Sequence, residues 1–348
     1  MQVKTAKAAI LAESRKPLIV DEIRLPAALD VGQVLVKLLY STICGAQLNE
    51  IAAAKGPDKF LPHLLGHEAS AKVLEIGPGV TSVKPDDTVV LHWRPSLGIQ
   101  CRPPTYTWRG AELNAGWVTT FNEYAVVSEN RMTVIPSSSD MKTAPLFGCA
   151  ITTAAGVINN DAKLKLGESV VVFGVGGVGL NVIQFAELAG AYPIIAVDLI
   201  DEKLQMAKQR GANYVVNPSH SDVASEIRRI VGDAGPDKVI ETTGVKSVIE
   251  QAYELTHADG TCVLVGVPSE KVSIYTLPIH FNKTLTGSHG GGARPHVDIP
   301  RIMRLANAGR ISFDGIVTDE FALDEVNTAL DKTRSGRCGR VLLRINGR

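Results

Sequence analysis

The chain reads as an α/β protein in which a doubly wound parallel sheet is joined to a second, β-rich domain. Two textures along its 348 residues carry that reading. From Val3 to about Pro136 short β-branched runs are broken by turn residues, and from about Leu166 strands and helices alternate. The third observation is a glycine-rich turn between the first strand and first helix of the second stretch. Roughly two domains suit the length, and a chain of this size buries a large core unaided.

In the first stretch the expected strands are Val34 to Lys37, Ala71 to Ile76 closed by Gly77-Pro78-Gly79, Thr88 to Leu91, and Tyr124 to Val127. In the second, Val170 to Phe173 is a strand, Val178 to Ala189 a helix ended by Gly190, and Ile194 to Val197 the next strand. Helix Glu202 to Arg210 ends at Gly211 and leads to strand Tyr214 to Val216, then helix Asp222 to Val231. Strand Lys238 to Glu241, helix Lys246 to Leu255 and strand Thr261 to Val265 complete the alternation. Such repeats make the strands parallel, and their unbroken apolar character requires cover on both faces. After Gly290-Gly291-Gly292, Ile299 to Ala308 is expected as a helix and Arg340 to Ile345 as a last strand.

Composition removes several classes of function. Lys plus Arg and Asp plus Glu are 36 each, so the formal net charge is zero and no bulk field favours nucleic acid or an anionic membrane. No apolar run approaches the roughly 18 residues of a spanning helix, and Ala8 to Ala12 is too short for a secretory signal. The five cysteines, Cys44, Cys101, Cys149, Cys262 and Cys338, are odd in number and lack a C-x-x-C. That is no disulfide framework, and a cytoplasmic location is expected.

Gly174-x-Gly176-x-x-Gly179, with Gly177 and Val178 between, follows a strand and opens a helix. The first glycine turns tightly, the second admits a pyrophosphate, and the third lets helix and strand pack closely. Asp198 ends the next strand, where its carboxylate suits the adenosine ribose hydroxyls and repels a 2′-phosphate. NAD is therefore expected over NADP, and Lys203, one turn on, is a further candidate for the ribose. The plainer alternative is a bare strand-to-helix turn with Asp198 capping the helix near Asp201. Strand, glycines, helix and acidic end together favour the dinucleotide.

Catalytic zinc needs three protein ligands and an open position, and Cys44, His67 and Cys149 are thiolate and imidazole candidates. Taken singly, the cysteines read more readily as small buried apolar residues and His67 as a hydrogen-bonded turn histidine. The segments around them, however, carry a pattern: Cys44-Gly45, Gly66-His67-Glu68, Val83-x-Pro85-x-Asp87, Thr120-Phe121-x-Glu123-Tyr124, Gly148-Cys149, Gly174 to Gly179 with Asp198, and Gly266-Val267-Pro268. In order and spacing the chain resembles the medium-chain dehydrogenase/reductase superfamily, in its zinc-dependent alcohol dehydrogenase branch.

The resemblance implies a GroES-like catalytic domain over 1–151, a Rossmann NAD-binding domain over 152–292, and a return segment, 293–348, completing the first. It implies that Cys44, His67 and Cys149 hold one catalytic zinc. Glu68 would stand behind that ion or exchange with its solvent ligand. Arg340 would lie near the cofactor pyrophosphate and Glu68; an ordinary exposed arginine is the alternative. Val267 joins the cofactor contacts, and Trp93 and Trp117 fall, with His92, in the stretch that often lines the substrate pocket. A homo-oligomer, dimer or tetramer, is implied through edge strands at Val272 to Thr276 or Lys283 to Gly287.

Three departures stand out. Only Cys101 lies between Leu91 and Thr120, so no structural zinc is expected. The position after Cys44-Gly45 is Ala46, without the hydroxyl that relays the substrate proton, and the usual following acid is Gln47. Asn49 stands where some members keep a relay histidine, leaving Thr153 or water as substitutes. The expected function is hydride transfer between an alcohol (primary, secondary, polyol or sugar) and NAD, with a small-molecule alcohol or carbonyl as partner. An isomerase or dismutase on tightly held NAD, and a nucleotide-binding protein without turnover, are the alternatives.

Overall fold

The β-branched run expected at Val34 is the opening of an eleven-residue strand, Gln33–Ile43, which is buried along nearly its whole length. It is long because three other strands pair with it. The computed structural model describes residues 1–54 and 56–347, and all counts and absences below refer to those residues. The chain divides into two compact units, Met1–Cys149 with Arg294–Arg348, and Ala150–Ala293.

The first unit begins with β1 (Thr5–Leu11), β2 (Ile19–Arg24), β3 (Gln33–Ile43), α1 (Gly45–Ile51), β4 (His63–Leu64), β5 (Ala69–Ile76) and β6 (Thr88–Leu91). It continues through β7 (Tyr106–Trp108), β8 (Ala111–Leu113), β9 (Tyr124–Ser128) and β10 (Met132–Val134). One sheet runs β4-β1-β2-β7-β8, antiparallel throughout. Its apolar face, with Ile10, Ile23, Tyr106 and Leu113, packs with Leu35 and Val126 of the second sheet. The expected strands at Thr88 to Leu91 and Tyr124 to Val127 form with those limits or one residue more.

The second unit follows the expected alternation: α2 (Ala150–Gly156), β11 (Val170–Phe173), α3 (Gly177–Leu188), β12 (Ile194–Val197), α4 (Asp201–Gln209), β13 (Tyr214–Val216), α5 (Val223–Val231), β14 (Lys238–Glu241), α6 (Lys246–Leu255), β15 (Thr261–Leu264) and β16 (Thr284–Gly287). Its strands are all parallel, in the order β13-β12-β11-β14-β15-β16. The order reverses between β11 and β14, and in open α/β sheets ligands bind beyond the carboxyl ends of the strands at that point. The expectation of an edge strand at Val272 to Thr276 is corrected: that segment is irregular, and β16 is the edge.

The return segment supplies α7 (Pro295–Asn307), β17 (Val317–Ala322), α8 (Val326–Arg334) and β18 (Arg340–Arg344) to the first unit. Helix α7 starts four residues before the expected Ile299, because Pro295 sits in its first turn, where a missing N–H costs nothing. β18 lies antiparallel on β3 and parallel on β17, so the second sheet runs β10-β6-β5-β3-β18-β17 with β9 also on β3. No helix is long and apolar enough to cross a membrane.

Candidate metal and nucleotide site

Cys44 leaves the end of β3 and takes the N-cap position of α1, with extended backbone angles. His67 and Glu68 lie just before β5, after Gly66, whose φ is +88° and whose Cβ would meet Thr120 Oγ1 at 2.2 Å. Only glycine fits that turn. Cys149 follows the 3-10 turn Ala144–Gly148. One apolar cluster anchors the Cys44 and His67 segments, since Ile43, Leu65, Phe121 and Val341 pack together within it.

The turns bring the three expected ligands together: a sulfur of Cys44, a ring nitrogen of His67 and the sulfur of Cys149 lie within 4.8 Å of one another. Among the described residues no other group of His, Cys, Asp or Glu has that character. His67 Nδ1 faces Gln47 Nε2 at 2.5 Å, while its Nε2 is buried without a hydrogen-bond partner. An orphaned ring nitrogen beside two sulfurs fits a catalytic zinc, whose usual protein donors number three and leave one position open.

Charge reinforces the fit. The Cys149 thiol's hydrogen bond, helped by Arg340 and His67, holds Cys44 well below the usual thiol range. The same contact with Cys44, with burial, pushes Cys149 up. Burial disfavours the charged form of His67, but its contact with Cys44, helped by Glu68, outweighs burial and raises the ring above its ordinary value. Behind the ligands Arg340 Nη1 donates to Glu68 Oε1 at 3.2 Å and to the Ile43 carbonyl at 3.1 Å. Arg340 is 5% exposed, which removes the alternative of an ordinary surface arginine. Burial raises the Glu68 carboxyl, with Arg340 opposing, and Glu68 Oε2 has no partner.

In the second unit Gly174 (φ +84°) ends β11 and Gly176 caps α3 with no side-chain hydrogen bond. A Cβ on Gly179 would sit 2.0 Å from the Gly174 carbonyl, so the close packing expected of the third glycine is present. Gly177 and Val178 open α3 and are partly exposed, and first-turn amides without a cap are anion donors. Asp198, just past β12, accepts the Val175 N–H at 2.7 Å and the Ile200 N–H at 3.0 Å. Helix α4 has Ile200 as its N-cap and no side-chain cap, so Asp198 does not cap it. Lys203 lies in the first turn of α4, partly exposed, and Val267, past β15, is 60% exposed.

The chain belongs to the zinc-dependent alcohol dehydrogenase family. Residues 30–137 match the alcohol dehydrogenase GroES-like domain, and residues 177–308 the zinc-binding dehydrogenase domain. It is 32% identical to S-(hydroxymethyl)glutathione dehydrogenase of Paracoccus denitrificans over 95% of this chain and 97% of that protein. Benzyl alcohol dehydrogenase of Acinetobacter calcoaceticus superposes with a TM-score of 0.88 at 26% identity, covering 99% of this chain and 100% of that one. A putative zinc-binding dehydrogenase of Sinorhizobium meliloti bound to NADP gives 0.80 at 26%, covering 98% and 100%. The family thus brings zinc, a nicotinamide cofactor, and the GroES-like and Rossmann folds that the sequence implied.

Against that family pattern, the remaining expected residues divide. Ala46 is exposed in the first turn of α1 and Asn49 partly so; neither offers a hydroxyl or imidazole. Thr153 lies in α2 of the second unit, 7% exposed. Trp117 donates its indole N–H to the Cys101 carbonyl at 3.1 Å and stacks on Arg131, which also donates to the Trp93 carbonyl. These tryptophans belong to a polar network that builds the segment between β6 and β7. Glu129 accepts the amides of Ile99, Thr81 and Ser82, and Ser128 Oγ accepts that of Cys101. Sequence reasoning missed this network, and it noted Gln47 only as a departure from the usual acid, not as a contact of His67. Gln47 had a signal: Cys44-x-x-Gln47 is the spacing of a capping box at a helix start.

Proposed function

We propose that this member of the family is an NAD-dependent oxidoreductase with one zinc ion, interconverting a small-molecule alcohol and its carbonyl. The convergence of Cys44, His67 and Cys149 carries the reading. A zinc ion held by these three residues would supply Lewis acidity, drawing electron density from an alcohol or carbonyl oxygen. The protein's part is to hold charge and geometry. Cys44 is the more acidic of the two thiols, and the Arg340 guanidinium, held by Glu68, favours its ionised form. A bound nicotinamide cofactor would supply the hydride chemistry, and the glycine-rich turn at Gly174 to Gly179 would offer backbone amides to its pyrophosphate.

The preference for NAD is supported by Asp198, whose carboxylate stands at the end of β12 with a lone pair on each oxygen beyond the two amides it accepts. A single zinc is supported by Cys101, a lone cysteine in a segment held by Glu129 and Ser128 instead. Ala46 and Asn49 offer neither hydroxyl nor imidazole, so neither fits the proton relay. A homo-oligomer through the edge of β16 is supported by the adjoining exposed Tyr275, Leu277 and Phe281. Five free thiols support a cytoplasmic setting. No observation favours the isomerase or the non-catalytic alternative.

A panel of primary and secondary alcohols, polyols and sugars, offered with NAD or NADP and followed by absorbance of the reduced cofactor, tests this reading. Zinc is measured on the same sample. We expect turnover of at least one alcohol with NAD and about one zinc per chain; a protein that binds NAD but retains no zinc would refute it.

A further inference from the structure

The peptide unit that joins Gly174 to Val175, in the turn after β11, is held at both ends by side chains from other strands. Thr242, just past β14, donates its hydroxyl to the Gly174 carbonyl at 2.9 Å and shares it with the Phe173 carbonyl at 3.0 Å. On the opposite side Asp198 Oδ2, just past β12, accepts the Val175 N–H at 2.7 Å. We propose that Thr242 is a positioning residue of the nucleotide site: it fixes this peptide plane, through it the Asp198 carboxylate, and so contributes to the choice of NAD over NADP. The proposal rests on the NAD reading above.

A trans peptide points its C=O and its N–H in opposite directions, so whatever holds one end sets the aim of the other. The Gly174–Val175 bond is trans. Its carbonyl has little room: a Cβ on Gly179 would lie 2.0 Å from that oxygen and 3.5 Å from Thr242 Oγ1, and a Cβ on Gly174 would lie 2.6 Å from the same hydroxyl. The first and third glycines of the turn and the Thr242 hydroxyl therefore meet around one oxygen. With that carbonyl drawn toward β14, the Val175 N–H turns toward β12 and meets Asp198.

Placement is one effect of the hydroxyl and polarisation is another. Hydrogen bonds in a chain strengthen one another, so a donor on the carbonyl makes the N–H at the far end of the same peptide a better donor to Asp198. Val175 itself is buried, which keeps water from competing for that bond. Asp198 Oδ1 is held separately by the Ile200 N–H at 3.0 Å, and the two amides together fix the plane of the carboxylate. A carboxylate freed on one side offers the ribose hydroxyls a less ordered acceptor, and it also moves more easily away from a 2′-phosphate. Loss of the Thr242 hydroxyl thus weakens NAD more than NADP. Thr242→Val removes the donor with little change of shape, whereas Thr242→Ser keeps it.

Calorimetric titration of NAD and of NADP into the full-length wild type, Thr242→Val, Thr242→Ser, Asp198→Ala and the Thr242→Val, Asp198→Ala double variant tests the proposal. We expect Thr242→Val to weaken NAD about 3 to 10-fold, the worth of one hydrogen bond, and NADP by less, with Thr242→Ser within about twofold of wild type. On the Asp198→Ala background the same Thr242→Val change should cost less than about twofold, because the hydroxyl then acts on a peptide whose other end is already free. An unchanged NAD affinity, an equal loss for both nucleotides, a Thr242→Ser variant as weak as Thr242→Val, or a loss just as large without Asp198 overturns it. If Thr242→Val does not fold, Thr242→Ala is read against the same limits; failure of both to fold assigns the hydroxyl to the fold and overturns the proposal. If wild type binds neither nucleotide, the NAD reading fails and the proposal with it. If wild type binds NAD and Thr242→Val binds it equally well, the reading stands and the proposal alone fails.

Discussion

Glu68 and Arg340, 272 positions apart in the sequence, meet at 3.2 Å with 0% and 5% exposure of their side chains. The contact ties the return strand β18 to the loop carrying His67, so the last residues of the chain complete the site begun by the first. Taking one partner from a buried ion pair leaves an uncompensated charge, which costs far more than the pair contributes. Arg340→Met should destabilise the first unit by about 3–5 kcal/mol. Glu68→Met combined with Arg340→Met should recover most of that. Urea unfolding of the three variants checks it, and a double variant no better than Arg340→Met would mean the pair is not the cause.

Cys149→Ala removes one of two sulfur donors and leaves a two-residue site. Zinc affinity should fall at least about 100-fold, beyond the loss typical of an outer-shell partner. Nucleotide affinity should hold within about twofold, because the glycine-rich turn lies in a separate unit. Metal content after dialysis and calorimetric NAD titration read the two effects. Retained zinc would strike Cys149 from the ligand set.

Asp198→Ala removes an acceptor suited to the ribose and also the partner of the Val175 N–H. Hydrogen bonds to a charged group are worth about 1.5–3 kcal/mol, so NAD affinity should drop roughly 10 to 100-fold. NADP should lose less, since the repulsion on its 2′-phosphate goes as well. Asp198→Asn, which keeps one acceptor for Val175, separates the two roles. An NAD to NADP ratio unmoved in both variants would assign Asp198 to the loop alone.

The second unit was legible almost element by element because its strands are unbroken apolar runs between helices that end at glycine, as at Val170–Phe173 and Val178 to Gly190. Cys44, His67 and Cys149, which the structure brings together, were picked out by the family resemblance of the segments around them. What stayed hidden was set by contacts distant in sequence. β17 reads ambiguously because its alternation is between half-buried and exposed positions, with the charged Asp319 at one of the half-buried ones. α1 escaped because the Cys44–Gln47 cap has cysteine where serine or threonine gives the usual signal. The segment between β6 and β7 has no periodicity at all: its backbone hangs on Glu129, Ser128 and Arg131, which lie after it in the chain.

That dependence on Glu129 gives an acid signature. The residue is 0% exposed, and three backbone N–H groups, from Ile99, Thr81 and Ser82, point at its carboxylate at 2.7 to 2.8 Å. Burial alone would raise its pKa, but the amides outweigh burial and hold it below the ordinary carboxylate value. A group depressed on folding stabilises fully above its unfolded pKa, and that contribution is lost as pH falls through the folded value. Glu129→Gln keeps one acceptor and sets an NH2 group against an N–H donor. At neutral pH it should therefore cost about 1.5–3 kcal/mol. Below about pH 4.3 the gap between the variant and wild type should narrow, because the protonated wild-type side chain also turns a donor toward the amides. Melting temperatures of both proteins across the acid range give the readout. Parallel curves, with no convergence in acid, would show that Glu129 does not anchor this segment as a carboxylate.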